Sequence, residues 1–166
     1  MTLATQVNDI LAQNPAILPA DIAAQLSVSE TEVIQHMPSE MVTLISAEHY
    51  LEILKDLKTW GELTVVIDVD GSIFEIVGHF PRGVEKFGYY NLGDQRTPLK
   101  GHLKMDNVAN IALISKPFHG VETKSIQALG SSGRVIFKAY LRRDKEKNFL
   151  TEQLEKFDAL KKLANQ

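Results

Sequence analysis

Residues 62–79 read ELTVVIDVDGSIFEIVGH, and this stretch decides the fold class. Leu63, Val65, Ile67 and Val69 alternate with Glu62, Thr64 and Asp68, the period of two of a half-buried strand. Asp70-Gly71 is a two-residue hairpin turn, since both central positions of such a turn need positive φ. Residues 72–79 are therefore read as the returning strand. Further strands are expected at about 99–105, 108–116, 121–128 and 134–142, separated by Gly-rich turns such as Gly130-Ser131-Ser132-Gly133. Between them a basic loop, Pro81 to Lys86, leads into Gly88-Tyr89-Tyr90-Asn91-Leu92.

Helices flank these strands. Residues 47–59 and about 145–163 carry helical apolar stripes, the latter through Leu150, Leu154, Phe157, Leu160 and Ala164. Residues 3–13 and 20–26 predict two shorter helices. Ser29 with Glu32 forms an S-x-x-E capping box ahead of a third, which ends at Pro38. Strands flanked by helices at both ends imply an α+β fold with a meandering antiparallel sheet. A soft boundary near Pro38 to Ser46 separates a helical cap, residues 1–46, from an α+β domain, residues 47–166.

Composition narrows the function. The chain has 166 residues, 44% of them hydrophobic and 23% charged, enough apolar material for one real core. Zero cysteines exclude disulfides, thiolate metal sites and a cysteine nucleophile. No secretory leader and no membrane span is read in the sequence, so a cytoplasmic protein is expected. The net charge of −3 argues against generic polyanion binding. Helix, turn and capped helix at the N-terminus match a helix-turn-helix, but SETEVIQHM has two Glu and no cation, and the first basic residue of the chain is Lys55. Affinity for DNA rests on Lys and Arg neutralising phosphate, so no nucleic-acid partner is expected and the cap is read as structural.

Candidate chemistry concentrates between His79 and Lys104. No pair of the five histidines has helical zinc spacing, and there is no nucleophile elbow, P-loop or G-x-G-x-x-G. In Leu99-Lys100-Gly101-His102-Leu103-Lys104-Met105, alternation puts Lys100, His102 and Lys104 on the face opposite Leu99, Leu103 and Met105. That is an ordinary solvated face or a ligand face. A neutral imidazole there can coordinate a metal, and the lysines would attract an anion. Tyr89 and Tyr90 point to opposite sides of their strand; one packs, and the other could present a phenol to ferric iron.

The residues Trp60-Gly61, then FGYYNL at 87–92, GHLK at 101–104 and NIALISKPF at 110–118 occur in an order and spacing that resemble the cytosolic haem-utilisation carriers of the HutX/ChuX type, nearer the HutX branch. The resemblance covers nearly the whole chain. It implies a homodimer with the fold of one half of larger haem-handling proteins. It also implies haem b, bound as ferric cargo in a cleft against the sheet and delivered to a cytosolic haem-degrading enzyme; the carrier is not itself an enzyme. The family's sheet histidine falls on His102. A second ligand histidine of some members falls on Asp68, a poor substitute on haem iron, which makes Tyr90 the attractive replacement axial donor. Arg82, Lys86, Lys100 and Lys104 become candidates for the propionates, with Tyr89 beside them. A haem-degrading enzyme is the alternative function, followed by the helix-turn-helix regulator and a flavin-binding barrel.

Overall fold

The computed structural model describes residues 1–165 and contains nine strands and five α-helices among them. The hairpin at its centre forms as the alternation requires. Strands β2 (Glu62–Val69) and β3 (Ser72–His79) pair in register from Glu62–His79 to Val69–Ser72. Asp70 and Gly71 both sit at positive φ, and the Gly71 amide donates to Asp68 Oδ1 at 2.9 Å.

Seven further strands complete two sheets. They are β1 (Val42–Ser46), β4 (Gly83–Lys86), β5 (Tyr89–Leu92), β6 (Gly101–Lys104), β7 (Val108–Phe118), β8 (Val121–Gly130) and β9 (Val135–Tyr140). A six-stranded antiparallel sheet has the order β1-β7-β8-β9-β2-β3, and a small three-stranded sheet the order β4-β5-β6. The helices are α1 (Leu3–Gln13), α2 (Pro19–Leu26), α3 (Glu30–Gln35), α4 (Tyr50–Leu57) and α5 (Thr151–Leu160).

Each face of the large sheet has its own core. On one face Leu63, Val65, Leu113, Ile126 and Phe137 pack under α4 and α5, and Tyr90 and Leu103 of the small sheet join the same cluster. Gln153, buried on α5, stitches this layer. Its Nε2 donates to the carbonyls of Trp60 and Glu62, and its Oε1 accepts from the Arg142 amide. On the other face Val7, Leu11, Ile22, Val33 and Ile34 of the first three helices cover Ala112, Ile114 and Leu129. The capping box is present in both directions: Glu32 N donates to Ser29 Oγ at 3.2 Å, and Ser29 N to Glu32 Oε2 at 2.9 Å. The Ser29 bonds hold the Glu32 carboxyl below its ordinary value.

Four local expectations change. The stretch read as a boundary, Pro38 to Ser46, contains β1, which pairs with β7 from Val42–Ile114 to Ser46–Asn110. The basic loop after Pro81 is largely a strand, β4, because β5 offers it an unpaired edge. The C-terminal helix begins at Thr151 rather than near 145. Asp144 intervenes: its side chain accepts from the amides of Glu146 and Asn148, a local bonding pattern that competes with helix. The segment 47–59 opens as a 3-10 turn, Ala47–His49, before α4.

Candidate functional site

The small sheet sorts the candidate residues by face. Its register sets Tyr89 opposite Lys104, Tyr90 opposite Leu103, and Asn91 opposite His102. Side chains directly across an antiparallel pair share a face, so Tyr89, Asn91, His102 and Lys104 form one surface and Tyr90 with Leu103 the other. The first surface is exposed and the second is core.

His102 is held from behind. Its Nδ1 lies 2.6 Å from Asn91 Oδ1. The Asn91 amide is fixed in turn, because its Nδ2 donates to the carbonyls of Val84, Lys86 and Tyr89. Asn91 Oδ1 must therefore accept, Nδ1 carries the proton, and the lone pair of the neutral ring sits on Nε2, turned away from this bond. Tyr89 stands edge-on to this imidazole with ring centroids 6.3 Å apart.

Tyr90 does not join them. It is 1% exposed, and its ring fills the space above Gly83, where an added Cβ would collide with Tyr90 Cε2. The phenol oxygen makes no hydrogen bond. Burial pushes its pKa up, and the nearby Gly83 backbone only moderates the shift. The expectation that Tyr90 and His102 offer donors on one strand surface is therefore corrected: the phenol on the imidazole's side belongs to Tyr89. Alternation required the two tyrosines to part; the hole over Gly83 decides which one goes inside.

The basic candidates surround this surface unequally. Lys86, Lys100 and Lys104 are exposed, with Lys104 4.0 Å from Asp106. Arg82 leans toward Asp94 at 3.8 Å. Asp94 is buried at its side chain and accepts from Arg96 and from the Arg82 amide, and the Arg96 bonds hold its carboxyl well below the usual range. Neither His79, opposite Glu62 on the large sheet, nor His119, in the turn after β7, belongs to the small sheet.

A second feature was not anticipated. Beside the helical cap, the large sheet carries an open groove of about 590 Å³. Ser125 and Tyr140 stand opposite each other on its floor, as do Gln127 and Lys138. Lys138 bonds Glu30 of the cap at 2.9 Å, and buried Lys116 donates to the Pro15 carbonyl at 2.9 Å. Burial lowers the Lys116 pKa and raises that of Tyr140. Gln127 Oε1 is buried without a partner. Phe118, Val121 and Phe149 supply apolar rim. Of the positions singled out from sequence, Asp68, where some family members carry a second ligand histidine, lines this groove; Tyr89, Tyr90, His102, Arg82, Lys86, Lys100 and Lys104 do not. Alternation of Ser125 and Gln127 with Ile126 and Ala128 was the available signal, but a polar strand face reads as solvated until a cap is known to wall it. Among the described residues no cluster of three or more metal-ligating side chains occurs, and no helix is long and apolar enough to cross a membrane.

This arrangement, a capped six-stranded sheet with a small second sheet, is the fold of a class of haem-handling proteins. A protein from Erwinia carotovora superposes with TM-score 0.87 at 30% identity, covering 98% of each chain. The heme-binding protein ChuX superposes with TM-score 0.85 at 28% identity, over 99% of this chain and 100% of that one. The heme-degrading enzyme ChuS of Escherichia coli O157:H7 shares the fold alone, with TM-score 0.72 at 15% identity, and this chain matches 47% of its length. Residues 43–160 match the family model for haem utilisation ChuX/HutX. The intracellular heme transport protein HutX of Vibrio cholerae is 40% identical over 159 residues, 96% of this chain and 82% of that protein. The chain belongs to the ChuX/HutX haem-utilisation family.

Proposed function

We propose that this protein is a haem carrier. It takes up haem b with ferric iron in the cytoplasm and hands it unaltered to a haem-degrading enzyme. The observation that carries this reading is the His102–Asn91 pair. A metal inside a porphyrin already has four nitrogen ligands and needs only one or two from the protein, and one imidazole with its Nδ1 occupied and its Nε2 turned outward meets that need. Lys86, Lys100 and Lys104 around it suit the two propionates. Haem offers roughly 40 non-hydrogen atoms, and at about 0.3 kcal/mol per atom contact alone supports sub-micromolar binding. An exposed site with a single strong donor also releases its cargo.

The protein works as a homodimer in this reading. The exposed large apolar side chains include Val69, Ile73, Phe74 and Val77 on the β2–β3 hairpin, a concentration that suits a partner surface. Residues 47–166 carry the haem, and residues 1–46 brace the sheet.

A second reading of the site is favoured by the groove, whose volume suits a ligand and whose floor holds the unpartnered Gln127 oxygen.

Absorption titration with ferric haem tests the proposal. One-to-one uptake with a Soret band altered by His102→Ala is expected. Addition of a reductant in air should leave that band intact. Its loss with appearance of a bile pigment would make the protein a haem-degrading enzyme.

A further inference from the structure

The turn joining β4 to β5 contains a residue that local physics disfavours. Lys86 pairs with Tyr89, so Phe87 and Gly88 are the two central turn residues, with φ of 58° and 79°. Such turns select Asn, Asp or Gly, because a side chain at positive φ crowds the following carbonyl. The other non-glycine residues at positive φ among the described residues are Ser27, Asp70, His119 and Lys147, all polar. Phe87 is aromatic, and it is 86% exposed. The tip is built rather than loose, since the Gly88 carbonyl accepts from the Met105 amide at 3.1 Å. Backbone strain at positive φ costs stability in the free protein, and the ring's partner among the described residues is the exposed Lys86 ammonium.

We propose that Phe87, with Val84 and Tyr89, is the platform on which the apolar face of the porphyrin rests beside His102 Nε2. The inference rests on the carrier reading and adds residues to its site. Val84 is opposite Asn91, and Asn91 is opposite His102, so Val84 lies on the histidine's face. Val84 is 66% exposed and Tyr89 39%. Phe87 ends this strip, with Lys86 Nζ 5.0 Å from its ring centroid. The strip thus carries apolar surface, an iron donor and a basic rim, matching a flat apolar macrocycle with two carboxylates on one edge.

Phe87→Gly and Phe87→Asn suit the turn better than Phe, so both variants should fold with melting temperatures equal to or above the native one. Haem dissociation is followed by transfer into excess apomyoglobin, and self-association by sedimentation. Both variants are expected to release haem about tenfold faster, the size of effect common on removing one aromatic anchor, with an unchanged Soret line shape because His102 is untouched. Dissociation at the native rate would overturn the platform while leaving the carrier reading standing. Dimer loss without faster release would overturn it too, assigning Phe87 to a second copy of the chain. Absence of haem uptake by the native protein would remove both proposals together.

Discussion

His102 and Asn91 face each other across β5 and β6, and their 2.6 Å bond fixes which imidazole nitrogen can reach a metal. The asparagine is immobilised by three backbone carbonyls, so the histidine is aimed by the sheet rather than by its own rotamer preference. Asn91→Ala should therefore keep the ligand but lose its orientation. About tenfold weaker haem binding is expected, at the lower end of losses seen when such supporting partners are removed. Absorption titration checks this: the ligand-field bands should persist at saturation, and their disappearance would mean that Asn91 does more than orient.

Tyr90 offers the sharpest contrast. His102→Ala should change the ferric haem spectrum. Tyr90→Phe should not, because its oxygen is sealed in the core and burial disfavours phenolate. The same substitution removes an unpartnered buried hydroxyl, so stability should shift by no more than about 1 kcal/mol. Gly83→Ala, by contrast, drives a methyl into the Tyr90 ring and should cost about 1–3 kcal/mol in chemical denaturation. A spectral change in Tyr90→Phe would show that the small sheet opens when haem binds.

Much of this was legible because strand alternation and turn chemistry are local. The β2–β3 hairpin follows from alternation around Asp70-Gly71, and the capping box of α3 from Ser29 and Glu32 alone. His102 could be placed on an outward face for the same reason. What escaped depends on distant partners. β1 pairs with β7, and although Val42-Thr43-Leu44-Ile45 is rich in β-branched residues, so short a run between helical segments does not say which strand it joins. Tyr90 and Tyr89 are equivalent until Gly83 on the neighbouring strand supplies a hole for one ring. The groove needs α2 and α3 to cross the sheet before its polar floor becomes an enclosure.

The role of the cap can be separated from that of β1 by two truncations. Removing residues 1–41 strips the helices from Ala112, Ile114 and Leu129 but keeps β1. Removing residues 1–46 also frees the edge of β7. The shorter truncation should melt at a lower temperature yet keep its strand signal in circular dichroism. The longer one should fail to fold cooperatively, because it adds an open sheet edge to an uncovered apolar face. If the porphyrin touches only the small sheet, the folded 42–166 chain keeps its haem affinity. A marked loss in that folded chain would place the macrocycle against the groove, whose wall includes Leu18, Pro19 and Glu30.

Acid stability tests the loop that positions β4 and β6. Asp94 accepts from Arg96 through Nε at 3.0 Å and Nη2 at 2.7 Å and from the Arg82 amide, and Arg96 donates onward to the carbonyl of Lys58 at the end of α4. Its folded carboxyl is held well below the ordinary value of 3.8, first by the Arg96 side chain. A depressed carboxylate stabilises the fold fully above its unfolded value, and that contribution drains away as the pH falls toward the folded one. Melting temperature followed from about pH 6 to about pH 2 should therefore fall for the native protein in the lower half of the range. Asp94→Asn should melt lower near neutrality and show a shallower acid slope, since it has no such contribution left to lose. Equal slopes for the two proteins would mean that the acid transition belongs to other carboxylates and that the Asp94–Arg96 pair does not anchor the small sheet.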